Sequence, residues 1–395
     1  MLTKLVSRSL IALVLLSSLI SFLKFNHCRN NEFISPDNYI HACYTDIPTL
    51  FSERDLAINI FPYLSAANSM EYPPITGLIA WAISFITPNS SHVTFFDLNI
   101  LFLIIMYFIS ALILKALAPK YLYLFLASPA VIASLFINWD LIAVASALLA
   151  VYFFEKKKYE ESAIALGISI ATKFFPIVML LPVAIIFYRR KQVKQLSRYL
   201  FTTAILWLAV NLPIAILYFD GWWRFFKLNI ERGADFGSIW YGLSLLNLNI
   251  PNLDLIYPSL SIVLFIALAL YLLKLDKIPN LMQVIFFALV IFTTFGKVYS
   301  PQYVLWLTPF AVIAITNSKQ QISFWFWQIT EFIYHLAIWQ YLALYSGASY
   351  GLPDSGYVIA TLLRVVGVST FTFILMRDLA AKSTAKSSVI SRRRT

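Results

Sequence analysis

Apolar runs of about twenty residues recur from Leu5 to Met376, and a run of that length crosses a hydrocarbon core of ~30 Å as a helix. Inside a bilayer no water satisfies the backbone, so each crossing has to be helical. Hydrophobic residues make up 60% of the 395-residue chain and charged ones 12%. No polar interval is long enough to bury a core of its own. The fold class expected is an all-α polytopic membrane protein. Residues 1–380 read as one transmembrane domain, and residues 381–395 as a basic, Ser/Arg-rich tail expected to be disordered.

The net charge of +11 suggests nucleic acid at first sight, but its placement argues for lipid. Clusters such as Lys156-Lys157-Lys158 and Arg189-Arg190-Lys191 sit in short linkers between apolar runs, which is the positive-inside pattern. The first run, Leu5 to Phe25, lacks a small-residue cleavage site and reads as a retained helix. Tyr72 to Pro88 is short and opens on two prolines. If it crossed, the later basic clusters would not all be cytoplasmic, so it is expected to lie in the outer interface. The remaining runs then give 12 crossings with both termini cytoplasmic, and 21 of the 30 lysines and arginines fall on the inner side. By the same map 14 of the 19 acids lie on or near the outer face. No internal repeat is present, which removes the usual signature of an inverted-repeat transporter.

The longest polar interval near the N-terminus, His41 to Gly77, falls on that outer face. It carries Asp46, Glu53, Arg54, Asp55 and Glu71, then Tyr72 and the turn at Pro73-Pro74. For any one of these charges a solvated loop is the plainer reading. Together, on a loop held by a rigid scaffold, they suit chemistry. Cys28 and Cys43 lie in the same outer segment, 27–90. An oxidising compartment permits a disulfide there, and two free thiols are the alternative.

Ionisable groups at membrane depth are costly and mark function by default. Lys173, in IATKFFP, stands between two apolar half-helices. It either snorkels to anchor a helix end or grips a phosphate at the lipid boundary. Lys297, in KVYSPQY, occupies an equivalent boundary beside Gln302 and Tyr303. Asp140 sits at an outer turn. Glu331 and His335 are four apart on one helix and share a face, as a buried hydrogen-bonded pair or as part of a substrate site. They lack a third ligand for a metal. Arg364, in TLLRVVG, needs an acid or a phosphate. A second outer loop, Asp220 to Tyr257, sets Trp222, Trp223, Trp240 and Tyr241 beside Arg224, Arg232 and Asp235. These are interface-belt aromatics or a sugar platform. There is no phosphate-cradling glycine motif, no zinc-protease motif and no nucleophile elbow, so any donor must be reached from the membrane. No metal and no cofactor is expected.

The blocks CYTDIPTLF, RDLA and EYPPITGL, then NWDLIAVA, LGISIATKFFPIVMLLP and GKVYSPQYVLWLTP, resemble in order glycosyltransferase family 87. Those are GT-C type membrane enzymes that include polyprenol-phosphate-mannose-dependent α-mannosyltransferases. The order of acidic loop, interfacial helix, outer Asp and Thr-Lys apex is also similar to lipid A aminoarabinose transferases. The resemblance implies an inverting hexosyltransferase at the outer face, with a polyprenyl-phosphate sugar as donor and a lipid-linked or cell-envelope glycan as acceptor. Mannose is the first sugar it suggests, with arabinofuranose or glucose as alternatives. Asp46 matches the first-loop acid that serves as general base, and Asp55 is its rival. His335 matches a catalytic helix histidine through spacing alone. Lys173 and Lys297 would hold the donor phosphate. Arg54, Asp55, Glu71, Tyr72, Asp140, Gln302, Tyr303, Glu331 and Arg364 complete the expected substrate site. A flippase for a lipid-linked sugar is the reading from another class. It calls for charges along a path through the membrane, whereas these cluster on one side. A purely structural membrane subunit would leave Lys173, Lys297, Glu331 and Arg364 without purpose.

Overall fold

A computed structural model describes the backbone of residues 5–391 and the side chains of residues 5–383. Among these residues every regular element is helical, as a bilayer requires of an open chain. Five helices are long and apolar enough to cross a membrane: Arg8–Asn30, His92–Leu117, Val193–Leu217, Leu253–Lys274 and Asp354–Ser383. The other expected crossings are also helices, but shorter ones, such as Tyr159–Thr172 and Leu281–Thr294, or less apolar, such as Ser318–Tyr345.

Several helices start about five residues before the expected bound, as Leu253–Lys274 does inside the loop Asp220 to Tyr257, and three further differences have a local reason. The first helix continues past Phe25 to Asn30, because nothing between Lys24 and Cys28 breaks it. The run Tyr121–Ile137 is not one continuous helix but two short ones, Leu122–Leu126 and Pro129–Ser134. Pro129 disfavours helical backbone at Ser128, and its ring starts the next helix instead. The last helix runs to Ser391, into the segment expected to be a disordered tail; residues 392–395 lie outside the described residues. Tyr72–Pro88 forms the helix Pro74–Phe85. Its twelve residues span roughly 18 Å, short of a ~30 Å hydrocarbon core.

The helix Asp140–Glu155 is the centre of the bundle, with twelve of its sixteen residues buried on all sides. Its neighbour Tyr159–Thr172 meets it through Ser162 and Ser169, and turns Gly167 toward Thr203 and Leu206 of the helix Val193–Leu217. Ser162 donates to the carbonyl of Ala150 at 2.7 Å, and Ser169 to that of Ala143 at 2.7 Å. Small residues with hydroxyls reaching a neighbouring backbone are how helices associate where lipid removes the hydrophobic drive. In contrast, Val193–Leu217 and Leu253–Lys274 are only 17% and 11% buried over their apolar windows. They present Ile205, Leu212, Ile262 and Ile266 outward as lipid-facing walls.

Cys28 and Cys43 form a disulfide, which closes the open choice and ties the C-terminal end of the first helix to the approach to Asp46. Closing a loop of this length is worth about 3 kcal/mol in the chain-entropy model. The double variant Cys28→Ser/Cys43→Ser is therefore expected to melt several degrees lower in detergent. An unchanged melt would show that the bond holds nothing.

Candidate active site

Asp46 owes its position to Thr45. That residue caps the helix Asp46–Glu53, its hydroxyl accepting from the amide of Ile47 at 3.2 Å. The same hydroxyl donates to the carbonyl of Phe136 at 2.8 Å, and the amide of Asp46 donates to that of Ile137 at 2.8 Å. The loop is thereby pinned onto the broken segment that leads to Asp140. The Tyr72 hydroxyl donates to Asp46 Oδ2 at 2.9 Å, with Asn138 Nδ2 at 3.5 Å from the same hydroxyl. Burial raises the Asp46 carboxyl to about 6, against the opposite pull of the Tyr72 hydroxyl and the Lys173 ammonium.

Lys173 ends the helix Tyr159–Thr172 in extended backbone, and Pro176 starts the next turn. The apex expected at this position is present. Its ammonium lies 2.8 Å from Asp140 Oδ1, with the aspartate fully buried. It sits 4.0 Å above the Tyr72 ring and 5.7 Å from the Trp306 ring. Asp140 opens the helix Asp140–Glu155, where the helix dipole favours a carboxylate. Its other oxygen accepts from Trp306 Nε1 at 2.7 Å. Trp306 is stacked between Tyr303 at 3.6 Å and Phe175 at 4.3 Å. A carboxylate partner and aromatic faces are the groups that attract an ammonium at a largely buried site.

Lys173 also lines a cavity of about 500 Å³, within the size range of ligand sites. The cavity carries three cations, Lys173, Arg232 and Lys297, on walls that include Phe225, Phe226, Ile262 and Phe265. One wall is the thinly covered helix Leu253–Lys274, so this hollow borders the lipid-facing side of the bundle. Asp46 does not line it. The Tyr72 ring stands between the Asp46 carboxylate and the Lys173 ammonium.

Other expected site residues are placed differently. Lys297, though it lines the cavity, is buried and already paired, donating to Asp254 Oδ1 at 2.8 Å and to the carbonyl of Ile230 at 2.9 Å. Arg54 pairs with Glu71 at 2.9 Å. Asp55 accepts from Asn68 Nδ2 at 2.8 Å and adopts a left-handed conformation, φ 55°, as part of a turn. Gln302 is buried in the turn Pro301–Tyr303. His335 is buried, with Nδ1 3.3 Å from the Ser134 hydroxyl and Nε2 accepting from Trp339 Nε1 at 3.1 Å. Both ring nitrogens are thus engaged within the protein. Glu331 and His335 take separate partners.

Arg364 and Glu331 are buried against each other, Nε to Oε1 at 2.7 Å. The guanidinium lies 3.3 Å from the Tyr299 ring centre and donates to the carbonyls of Tyr299 and Ser300. The acid partner sought for Arg364 is thus internal. The pair clamps the loop that carries Lys297 and does not line the cavity. Glu331→Ala is expected to cost about 3–5 kcal/mol by stranding a buried charge. Glu331→Gln/Arg364→Met should recover part of that. Equal thermal melts for wild type and Glu331→Ala would contradict the clamp.

Trp306 and Asn138 escaped the sequence reading. A tryptophan inside an apolar run carries no mark of its polar contact, and Asn138 differs from other loop amides only by its neighbours in space.

A family model described as mannosyltransferase (PIG-M) matches residues 134–227, about a quarter of the chain. That segment contains Asn138, Asp140, Lys173 and most of the aromatic helix Phe219–Glu231. No curated protein matches the chain. The family match indicates an enzyme of the glycosyltransferase class and supports a membrane family of mannosyltransferases, without singling out family 87.

Proposed function

We propose that this membrane protein transfers mannose from a polyprenyl-phosphate donor to a hydroxyl of a lipid-linked or envelope glycan at the outer face. The observation that carries the reading is Lys173, which belongs both to the apolar-walled cavity and to the cluster of Tyr72 and Asp46. The lipid occupies the cavity beside Phe225, Phe226 and Phe265, and its phosphate meets Lys173 with Arg232 and Lys297 nearby. The acceptor enters from the side of the first loop. Its hydroxyl oxygen bonds to the anomeric carbon as the bond from that carbon to the phosphate oxygen breaks. The hydroxyl proton passes to Asp46, and the bonding pair leaves with the lipid phosphate. A single displacement with one base inverts the anomeric centre. Cations aimed at the leaving phosphate stabilise charge as it develops.

Asp46 must be ionised to accept the proton. An ordinary aspartate would keep activity down to about pH 4. With the carboxyl near 6, kcat/KM is expected to be level above that pH and to fall about tenfold per unit below it. A profile flat down to about pH 4.5 would remove Asp46 as the base. The reading itself is tested by incubating purified protein in detergent with polyprenyl-phosphate mannose and envelope lipid extract. Mannose should move to a lipid or glycan product. Without compartments a flippase gives no product, and that outcome would overturn the transferase.

A further inference from the structure

The first outer segment holds a cluster that the transfer reaction does not use. His27 lies in the last turn of the helix Arg8–Asn30, Asp37 opens the short helix Asp37–Ile40, and His41 follows it. His27 Nε2 is 2.8 Å from Asp37 Oδ2, and His41 Nδ1 is 3.0 Å from Asp37 Oδ1. One ligand atom from each residue falls within 4.8 Å of the others. Ligand atoms on one tetrahedral zinc ion, at bond lengths near 2.0–2.1 Å, lie about 3.3 Å apart. The His27 and His41 rings are stacked with centroids 3.6 Å apart, so they would have to swing apart about Asp37 for all three residues to bind one ion.

We infer that His27, Asp37 and His41 form a zinc site on the outer loop, with water in the fourth position. Two imidazoles and a carboxylate suit zinc better than calcium or magnesium, which prefer all-oxygen shells. Asn31 Nδ2 donates to Asp37 Oδ2 at 3.0 Å and orients the carboxylate from behind, as outer partners of metal ligands do. The Cys28–Cys43 disulfide joins the two ends of the segment, so the ligands are already gathered before the ion arrives. The site bears on the first loop through Tyr39, which stacks on Tyr44 at 5.3 Å and on Trp339 at 6.2 Å. Tyr44 stands two residues before Asp46. Bound zinc would fix the loop that approaches the proposed base, as a structural ion.

The test uses full-length protein purified with a non-histidine tag, dialysed against zinc and then against buffer. Elemental analysis should find about one zinc per chain in wild type and almost none in His41→Ala or Asp37→Ala. Asn31→Ala should bind zinc about 10–100-fold more weakly by titration calorimetry. A thermal melt and gel-filtration profile matching wild type in the variants separate loss of the site from loss of the fold. A wild type without zinc, or a His41→Ala protein holding as much as wild type, would overturn the assignment and leave a hydrogen-bonded triad.

Discussion

Asp46→Asn is expected to slow mannose transfer by ~10²–10⁴-fold, the usual contribution of a positioned general base. The replacement is nearly isosteric, and the oxygen of the introduced amide can still accept from Tyr72, whose hydroxyl lies 2.9 Å from the present carboxylate. It also removes a charge that burial disfavours. The variant should therefore fold as well as wild type and bind donor normally, with the loss confined to turnover. Asp55→Asn is the matched control. Asp55 sits in a left-handed turn at φ 55° and bonds Asn68, a conformation asparagine tolerates. Its transfer rate should stay near wild type. If Asp55→Asn lost activity and Asp46→Asn kept it, the base would be the other aspartate.

The second large effect is expected at Lys173. Lys173→Gln removes the cation nearest the proposed leaving phosphate, and removal of one such preorganised group costs ~10²–10³-fold in kcat. It also strands Asp140, fully buried at 2.8 Å from the missing ammonium, for about 3–5 kcal/mol of stability. These two losses separate in the double variant Lys173→Gln/Asp140→Asn. That variant leaves no uncompensated charge at the pair, and the amide oxygen introduced in place of the carboxylate can still accept from Trp306 Nε1. The double variant should regain most of the thermal stability and none of the transfer. Recovery of both would make the pair an architectural device only.

Much of this arrangement was legible in the chain because it rests on local rules. The lysine apex needed only a polar residue between apolar half-helices and Pro176 three residues on. The polar interval His41–Gly77 offered several acids, and only the family resemblance singled out Asp46 among them. The non-spanning expectation for Tyr72–Pro88 came from the placement of the basic clusters, and the helix found there, Pro74–Phe85, is short. What stayed illegible is pairing across distance. Asp140 and Lys173 are 33 residues apart, as are Glu331 and Arg364. Sequence shows that each buried charge is costly, but not whether its partner is another side chain or a substrate. Asp140–Lys173 borders the cavity and the other pair is sealed in the protein, and packing alone makes that difference. His335 illustrates the same limit. Its helical position is plain, while Ser134 and Trp339, which occupy its nitrogens, come from packing and from the next helical turn. The broken run at Ser128-Pro129 carried its signal openly, since proline rarely continues a helix.

The central claim is that the lipid-phosphate donor lies in the hollow between Lys173 and the helix Leu253–Lys274. It is tested most directly by irradiating the protein with a polyprenyl phosphate that carries a photoreactive group near its phosphate end, and mapping the adducts by mass spectrometry. The account predicts adducts on Phe225, Phe226, Ile262 or Phe265, competed away by unlabelled polyprenyl phosphate and much reduced in Lys173→Gln/Asp140→Asn. Adducts confined to the lipid-facing surface of Val193–Leu217, and undiminished in that variant, would contradict it.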